Sequence, residues 1–142
     1  GTGAVSDVLA AATGAKDLWA VEDSTAARWA LRRRGYRADA TLTNVRRTFD
    51  AVTLLNVLDR CDDPLGLLSE AASKIAPGGL LVVATVVPFQ GAVHEGRVGS
   101  PWGKALTRPP RRRLALAPAD ESFEARVVSF VAAAYAALPD VA

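Results

Sequence analysis

The sequence contains one cysteine, one histidine and no methionine in 142 residues. The lone Cys61 excludes an internal disulfide. Because His94 is the single histidine, a zinc cluster of cysteine and histidine ligands is implausible as well, and no metal site is expected. No signal peptide is visible, so the expected compartment is the reducing cytoplasm.

Long apolar runs and a strong charge of one sign are also missing. The longest apolar run, residues 80–89, is half of the ~20 residues that a membrane-spanning helix needs, although it suits a buried strand. Lysine and arginine total 17 against 15 acidic residues, so the formal net charge is +2. That charge is too small for a dedicated nucleic-acid binder, and the arginines at 111–113 have no aromatic residues between them. Neither a membrane nor a nucleic acid is an expected partner.

What is present predicts a single α/β domain over residues 1–142. Half of the residues are hydrophobic, which at this length is enough for a sizeable core. Strand patterns alternate with helix patterns, and this order favours a mainly parallel sheet. The predicted strands are residues 17–22, 36–41, 49–55 and 80–87, and the predicted helices are residues 5–12, 25–34, 64–75 and 123–138. Residues 88–118 have no period and are predicted to be a long irregular excursion.

Local signals define several boundaries of these elements. Ser24 is a good cap for the second helix, and Gly35 is placed to end it in a left-handed conformation. Asp62 and Asp63 precede a proline and are interpreted as structural acids, one of which is enough to cap the third helix. That helix has an apolar stripe and is expected to stop at residues 77–79. The stripe consists of Leu65, Leu68, Ala72 and Ile75.

Two further segments carry expectations about burial. Residues 80–87 are almost purely branched and aliphatic, so both faces of this strand are expected to be covered, at or near the centre of a parallel sheet. The last helix is expected to bury one apolar face. This face consists of Phe123, Val127, Phe130, Val131, Ala134 and Leu138.

A glycine turn and an acid suggest a cofactor site. Gly1 and Gly3 precede a helix, and glycines there let the backbone pass close to a ligand. Glu22 ends the next strand about 20 residues later, the spacing at which an acid binds ribose hydroxyls. The pair fits an adenosine-containing cofactor, and also fits an ordinary turn followed by a solvated acid. A nicotinamide-dependent oxidoreductase shares both features, although Val5 breaks the glycine pattern that it needs.

The polar loop after residue 55 carries the most information. It follows a predicted central strand, at the edge of the sheet where ligands of open α/β folds bind. Residues 56–62 are Asn-Val-Leu-Asp-Arg-Cys-Asp. This run resembles the Asn-Leu-Leu-Asp-Arg-Cys-Asp loop of the DREV methyltransferases, the methyltransferase-like protein-histidine enzymes. The resemblance continues at residues 18–24, in the Val-Pro-Phe of residues 87–89, at Trp102 and at residues 122–124.

Two features depart from the family pattern. This chain has no counterpart of the family's strand before the glycine turn. It also lacks the family's strands after the last helix, which include a tyrosine that helps to frame the substrate site. The chain is therefore expected to begin and end inside the domain. The third glycine of its Gly-x-Gly-x-Gly turn is also replaced, at Val5.

The resemblance implies a Rossmann-like class I methyltransferase fold, with a mainly parallel sheet, helices on both faces, and the first and last strands missing. It implies transfer of a methyl group from S-adenosylmethionine to an imidazole nitrogen of a histidine in a protein His-x-His segment. Asn56 and Asp59 would be the catalytic and substrate-binding residues, with Arg60 also on the substrate and Gly1, Gly3 and Glu22 on the cofactor. A small-molecule methyltransferase and a catalytically impaired relic stay open as alternatives. The oligomeric state stays open too.

Overall fold

The computed structural model describes residues 3–87, 89–95, 106–116 and 122–138. The chain divides into two units, Gly1–Arg47 and Thr48–Ala142. In the described residues both units mix helices with strands, and each contains a parallel strand pair. The predicted α/β class with parallel strands is therefore confirmed. That the whole chain is a single domain stays a prediction.

The first unit alternates helices and short strands. Its elements are α1 (Ala4–Thr13), β1 (Trp19–Val21), α2 (Thr25–Arg33), β2 (Arg37–Asp39) and a single 3₁₀ turn (Leu42–Asn44). The Ser24 hydroxyl accepts a hydrogen bond from the Ala27 N–H at 3.4 Å, and Gly35 has a φ of 89°. Both predicted boundaries of α2 are thus confirmed. Strands β1 and β2 pair in parallel, with Trp19 opposite Arg37.

A small core holds the first unit together. Leu31, Tyr36 and Ala38 are buried, and Leu18 and Ala20 pack against them. The Tyr36 hydroxyl donates a hydrogen bond of 2.6 Å to Asp7 Oδ1, which ties β2 to α1. Asp7 is also paired with Arg34.

The Tyr36 phenol should ionise late in an alkaline titration. Burial, and then the hydrogen bond to the Asp7 carboxylate, raise the pKa of Tyr36 to about 12. The neutral phenol is the form that the fold favours, so its contribution to stability is present below pH ~10 and is lost as the pH rises through the folded pKa.

The measurement is the ultraviolet absorbance of the phenolate in a Tyr135→Phe background, where Tyr36 is the remaining tyrosine. Adding Asp7→Asn should lower the pKa of Tyr36 without returning it to its ordinary value, since burial, the larger cause, persists. A phenol that titrates at its ordinary pKa in the Tyr135→Phe protein would contradict the buried position.

The second unit carries a longer parallel pair. Its elements are β3 (Phe49–Leu55), α3 (Pro64–Ala72), β4 (Ile75–Ala84), β5 (Val93–Glu95), β6 (Leu106–Arg108) and α4 (Phe123–Ala136). Strands β3 and β4 pair in parallel, and β5 pairs with β6 in antiparallel fashion. Strand β3 has the predicted bounds. The excursion predicted to be irregular contains the β5–β6 pair, and some of its residues lie outside the described ranges.

The expected end of the third helix is wrong. Helix α3 ends at Ala72, and Ile75 pairs with Phe49 as the first residue of β4. The Phe49 N–H already donates to the Lys74 carbonyl at 2.8 Å, so strand pairing takes over from the helix before the proline is reached. Residues 77–79 instead form an irregularity within β4, because Gly78, with a φ of 79°, lets the strand bulge.

The expectation that both faces of residues 80–87 are covered is also wrong. Leu80 and Val82 are 65% and 42% exposed, while Leu81 and Val83 between them are partly buried. Within the described ranges β4 is hydrogen-bonded to β3 alone, so the central position in a larger sheet is not seen there. A strand with one covered face shows this alternation whatever its composition.

The last helix lies where it was predicted but buries less of its apolar face. Phe130 is buried and its ring centroid lies 5.2 Å from that of Phe89. Phe123 and Val131 are about 60% exposed, contrary to expectation. No helix among the described residues has the length and apolar character needed to cross a membrane.

Candidate active site

The candidate loop, residues 56–63, begins where β3 ends. The Asn56 N–H donates to the Ala84 carbonyl at 2.7 Å, which extends the β3–β4 ladder by one bond. Asn56 then turns the chain with a φ of 51°, a left-handed conformation that asparagine tolerates better than most residues. Its side chain is exposed and makes no hydrogen bond to any residue that the structure describes. The amide is therefore available to a ligand at the carboxyl end of the strand.

Asp59 has one carboxylate oxygen for which the described residues offer no donor. Its side chain is 15% exposed, and Oδ2 lies 3.4 Å from both Nε and Nη2 of Arg60. Oδ1 is buried and has no hydrogen-bond partner within the described part of the chain. Buried polar atoms without a partner are rare, and a role in binding or catalysis is one explanation for such an atom. Arg60 is 56% exposed, so its pairing with Asp59 is open to solvent and to displacement.

The loop is anchored between these two side chains. Leu58 is fully buried, and the Asp59 carbonyl accepts a hydrogen bond of 2.8 Å from the Ala92 N–H. The Cys61 thiol donates to the Leu58 carbonyl at 3.6 Å, and burial raises the pKa of this thiol. Cys61 is thus a packed, protonated group. The anchored backbone holds Asn56 and Asp59 at defined positions.

Asp62 and Asp63 have structural partners. Asp63 Oδ1 accepts a hydrogen bond of 2.8 Å from the Gly66 N–H and caps α3, as predicted. The Arg112 guanidinium lowers the pKa of Asp63. Arg108, and after it Arg111, lower the pKa of Asp62 in the same way. These pairs attach the arginine-rich segment 108–113 to the start of α3.

Thr85 is a polar residue at the same edge that sequence reasoning missed. It follows Ala84, the partner of Asn56 across the strand pair, and its Oγ1 is buried without a hydrogen-bond partner among the described residues. A threonine within an aliphatic run is an ordinary strand residue by sequence, so no signal set it apart. The carboxyl ends of β3 and β4 therefore present Asn56, Asp59 and Thr85.

Thr85→Val should leave the fold as stable as before or stabilise it by about 1 kcal/mol. The reason is that a buried hydroxyl without a partner costs about 1–3 kcal/mol, and valine has the same shape without that cost. Urea unfolding measures the change, with Thr53→Val, an exposed threonine of β3, as the matched control. A loss above about 1 kcal/mol would show that Thr85 Oγ1 has a partner in solution.

Of the predicted cofactor residues, Gly1 lies outside the described residues. Gly3 is the N-cap of α1 with a φ of 86°, and a Cβ built there would lie 2.8 Å from Leu31 Cδ2. Packing against the core is thus one reason for a glycine at this position. Val5, the residue that breaks the glycine pattern, is 63% exposed.

Glu22 directly follows β1. Its N–H donates to the Asp39 carbonyl at 3.0 Å, and its Oε1 accepts a hydrogen bond of 3.0 Å from the Ser24 N–H. Burial alone would raise the pKa of the Glu22 carboxyl, but the hydrogen bonds that it accepts, that from the Ser24 N–H among them, outweigh burial and lower the pKa overall. The group is therefore ionised at neutral pH. An ionised carboxylate at the carboxyl end of a parallel strand fits a ribose diol. The cofactor role of Gly3 and Glu22 stays a prediction.

In the described ranges no three His, Cys, Asp or Glu side chains lie close enough to hold a metal ion.

The sequence pattern of one protein family, described as DREV methyltransferase, matches residues 1–134. This match covers the first unit and most of the second, and it includes the loop that carries Asn56 and Asp59.

Proposed function

The chain belongs to the DREV methyltransferase family, and we propose that it transfers a methyl group from S-adenosylmethionine to an imidazole nitrogen of a histidine in a protein His-x-His segment. Membership of the family supports a methyltransferase activity; the methyl donor and the acceptor are the proposal. The alternation of helices and strands, with the parallel pairs β1–β2 and β3–β4, supports a Rossmann-like fold for this chain.

The chemistry needs a neutral imidazole that is held in one tautomer. One ring nitrogen must present its lone pair in line with the methyl group, while the other carries the proton. S-adenosylmethionine supplies an electrophilic methyl group on a sulfonium centre. The protein's task is therefore to orient the ring and to stabilise the positive charge that it acquires.

Asp59 and Asn56 can perform these two tasks. Asp59 accepts the ring N–H, which selects the tautomer and places a negative charge beside the developing imidazolium. The exposed Asn56 amide bonds the ring or the substrate backbone and sets the ring's angle of approach. Arg60, 3.4 Å from Asp59 Oδ2, moves aside or turns to the peptide when the substrate binds.

The observation that carries the proposal is the buried Asp59 Oδ1, which has no donor among the described residues and lies on the same anchored loop as the Asn56 amide, three residues away. Such an acceptor is costly in the free protein, and a substrate N–H removes that cost when the Asp59 carboxylate turns toward the ring. On the cofactor side, Gly3 and Glu22 are the described candidates, and Gly1 is proposed beside them.

The test is transfer of a labelled methyl group from S-adenosylmethionine to a His-x-His peptide, with the matching Ala-x-Ala peptide as control. Label is expected in the first peptide alone. Calorimetry with S-adenosylhomocysteine and with NADH tests the cofactor class, and a preference for NADH would overturn the proposal. Label in small acceptors but not in the peptide would assign a small-molecule methyltransferase. If the protein binds neither cofactor, it is a catalytically impaired relic of the family.

Asn56→Gly separates the backbone role of Asn56 from its amide. Glycine adopts a φ of 51° without strain, so the free energy of unfolding should change by less than about 1 kcal/mol. Methyl transfer should fall by about tenfold, because the orienting hydrogen bond is lost. Unchanged turnover in a stable Asn56→Gly protein would leave this residue a turn former only.

A further inference from the structure

A concave site lies next to the candidate loop, in the same unit. It is a cavity of about 280 Å³, here called the Arg113 pocket. Its walls include the apolar Pro64, Phe89, Pro110 and Leu114, the backbone of Gly91, and Arg113. Phe89 is supported from outside the pocket by the ring of Phe130 at 5.2 Å. The pocket is thus mostly apolar, with one cationic side chain.

Hydrogen bonds connect this pocket to the candidate loop on two sides. Ala92, the neighbour of the wall residue Gly91, donates to the Asp59 carbonyl at 2.8 Å. The Arg111 N–H donates to the Asp62 carbonyl, also at 2.8 Å, next to the wall residue Pro110. The pocket therefore keeps a defined position next to Asp59, within reach of a peptide whose histidine lies at that carboxylate.

Arg113 differs from the other arginines of segment 108–113. Arg108 and Arg111 pair with Asp62, and Arg112 pairs with Asp63. Arg113 is exposed and has no ion pair or hydrogen bond to any described residue. The loop residues 59–63 and the segment 108–113 together contain five arginines and three aspartates. Asp62 and Asp63 are paired with the other arginines of the segment, so among the described residues no acid remains for Arg113, and an anion from a ligand can pair with it.

We propose that the Arg113 pocket binds an aromatic or aliphatic side chain of the methyl-accepting peptide, and that Arg113 pairs with an aspartate or glutamate next to that side chain. This inference rests on the proposed function, because it takes a peptide as the occupant. The apolar walls select the aromatic or aliphatic side chain because its surface becomes buried, and Arg113 selects the neighbouring carboxylate by its charge. The pocket thereby determines which histidine-containing segments are accepted.

The probe is a set of dye-labelled peptides in which Phe-Glu follows His-Ala-His at increasing distances. Matched peptides replace the glutamate by glutamine or lysine, or the phenylalanine by alanine. Fluorescence anisotropy in the presence of S-adenosylhomocysteine measures the Kd. At the best distance the glutamate peptide should bind about fivefold tighter than the glutamine peptide, the size of one partly exposed ion pair. The alanine peptide should bind about tenfold weaker, because the apolar contact is lost.

Arg113→Glu should invert the order, so that the lysine peptide binds tighter than the glutamate peptide. Arg113 is exposed, so this variant should fold normally. Arg46→Glu, at another exposed arginine, makes the same change in net charge and should leave the order unchanged. Equal Kd values for the glutamate, glutamine and lysine peptides, or an unchanged order in Arg113→Glu, would overturn the inference.

The binding readout separates this inference from the proposed function. If the Kd values follow the expected order but no methyl group is transferred, peptide binding at the Arg113 pocket is supported and histidine methylation is overturned. Methyl transfer at equal rates to all the peptides, in the wild type and in Arg113→Glu, would keep histidine methylation and overturn the role of the pocket.

Discussion

Asp59→Asn should lower methyl transfer to a His-x-His peptide by about 30- to 1000-fold, a loss of about 2–4 kcal/mol in transition-state stabilisation. Asparagine keeps the size of the side chain but has no charge, so it neither favours the required tautomer as strongly nor stabilises the imidazolium. The loss should fall on kcat, because the charge on the ring develops in the transition state. The affinity for S-adenosylhomocysteine should change by less than about twofold, since the proposed cofactor residues are others.

Asp50→Asn is the matched control for this variant. Asp50 is an exposed aspartate near the start of β3, at the other end of the strand from the candidate loop. The same chemical change there should leave turnover within about twofold of the wild type. Full activity of Asp59→Asn would remove Asp59 from the chemistry. A parallel loss of activity in both variants would indicate a general effect of charge instead.

Leu58→Ala should destabilise the protein by about 2–5 kcal/mol. Leu58 has no exposed surface, so its truncation removes buried apolar contacts and leaves a cavity. Because Leu58 lies between Asn56 and Asp59 on the loop, turnover under native conditions should fall as well. Urea unfolding measures the first effect and the methyl-transfer assay the second.

Leu80→Ala makes the identical substitution at a leucine that is 65% exposed. It should cost less than about 1 kcal/mol, because that side chain loses little buried surface. If the two alanine variants were destabilised equally, Leu58 would not be the anchor of the loop. Destabilisation by Leu58→Ala without loss of turnover would separate the packing of the loop from its proposed chemistry.

Features that depend on neighbours in sequence were predictable from the sequence alone. Strand β3 has its predicted bounds, Ser24 caps α2, Gly35 ends it, and Asp63 caps α3. Each depends on a side chain acting within one turn of its own backbone, so local chemistry decides it. The run at residues 56–62 likewise identified the family, because it is contiguous.

Other features depend on what lies across the fold, and the tertiary structure alone decided them. Ile75 leaves the helical stripe because its backbone pairs with Phe49, a residue distant in sequence. Leu80 is exposed although the aliphatic run in which it lies favours burial, because its exposure depends on which face of the sheet is covered.

The same distinction applies to the candidate site. The residue types at the end of β3 were predictable from the linear pattern: an amide, a carboxylate and a capping acid lie in one loop. The tertiary structure decided which of their atoms have partners. Asp63 caps a helix, whereas within the described part of the chain one oxygen of Asp59 and the buried Thr85 hydroxyl have no partner. Whether a buried polar atom has a partner depends on groups brought near it from other parts of the chain, and a linear pattern contains no record of those distances.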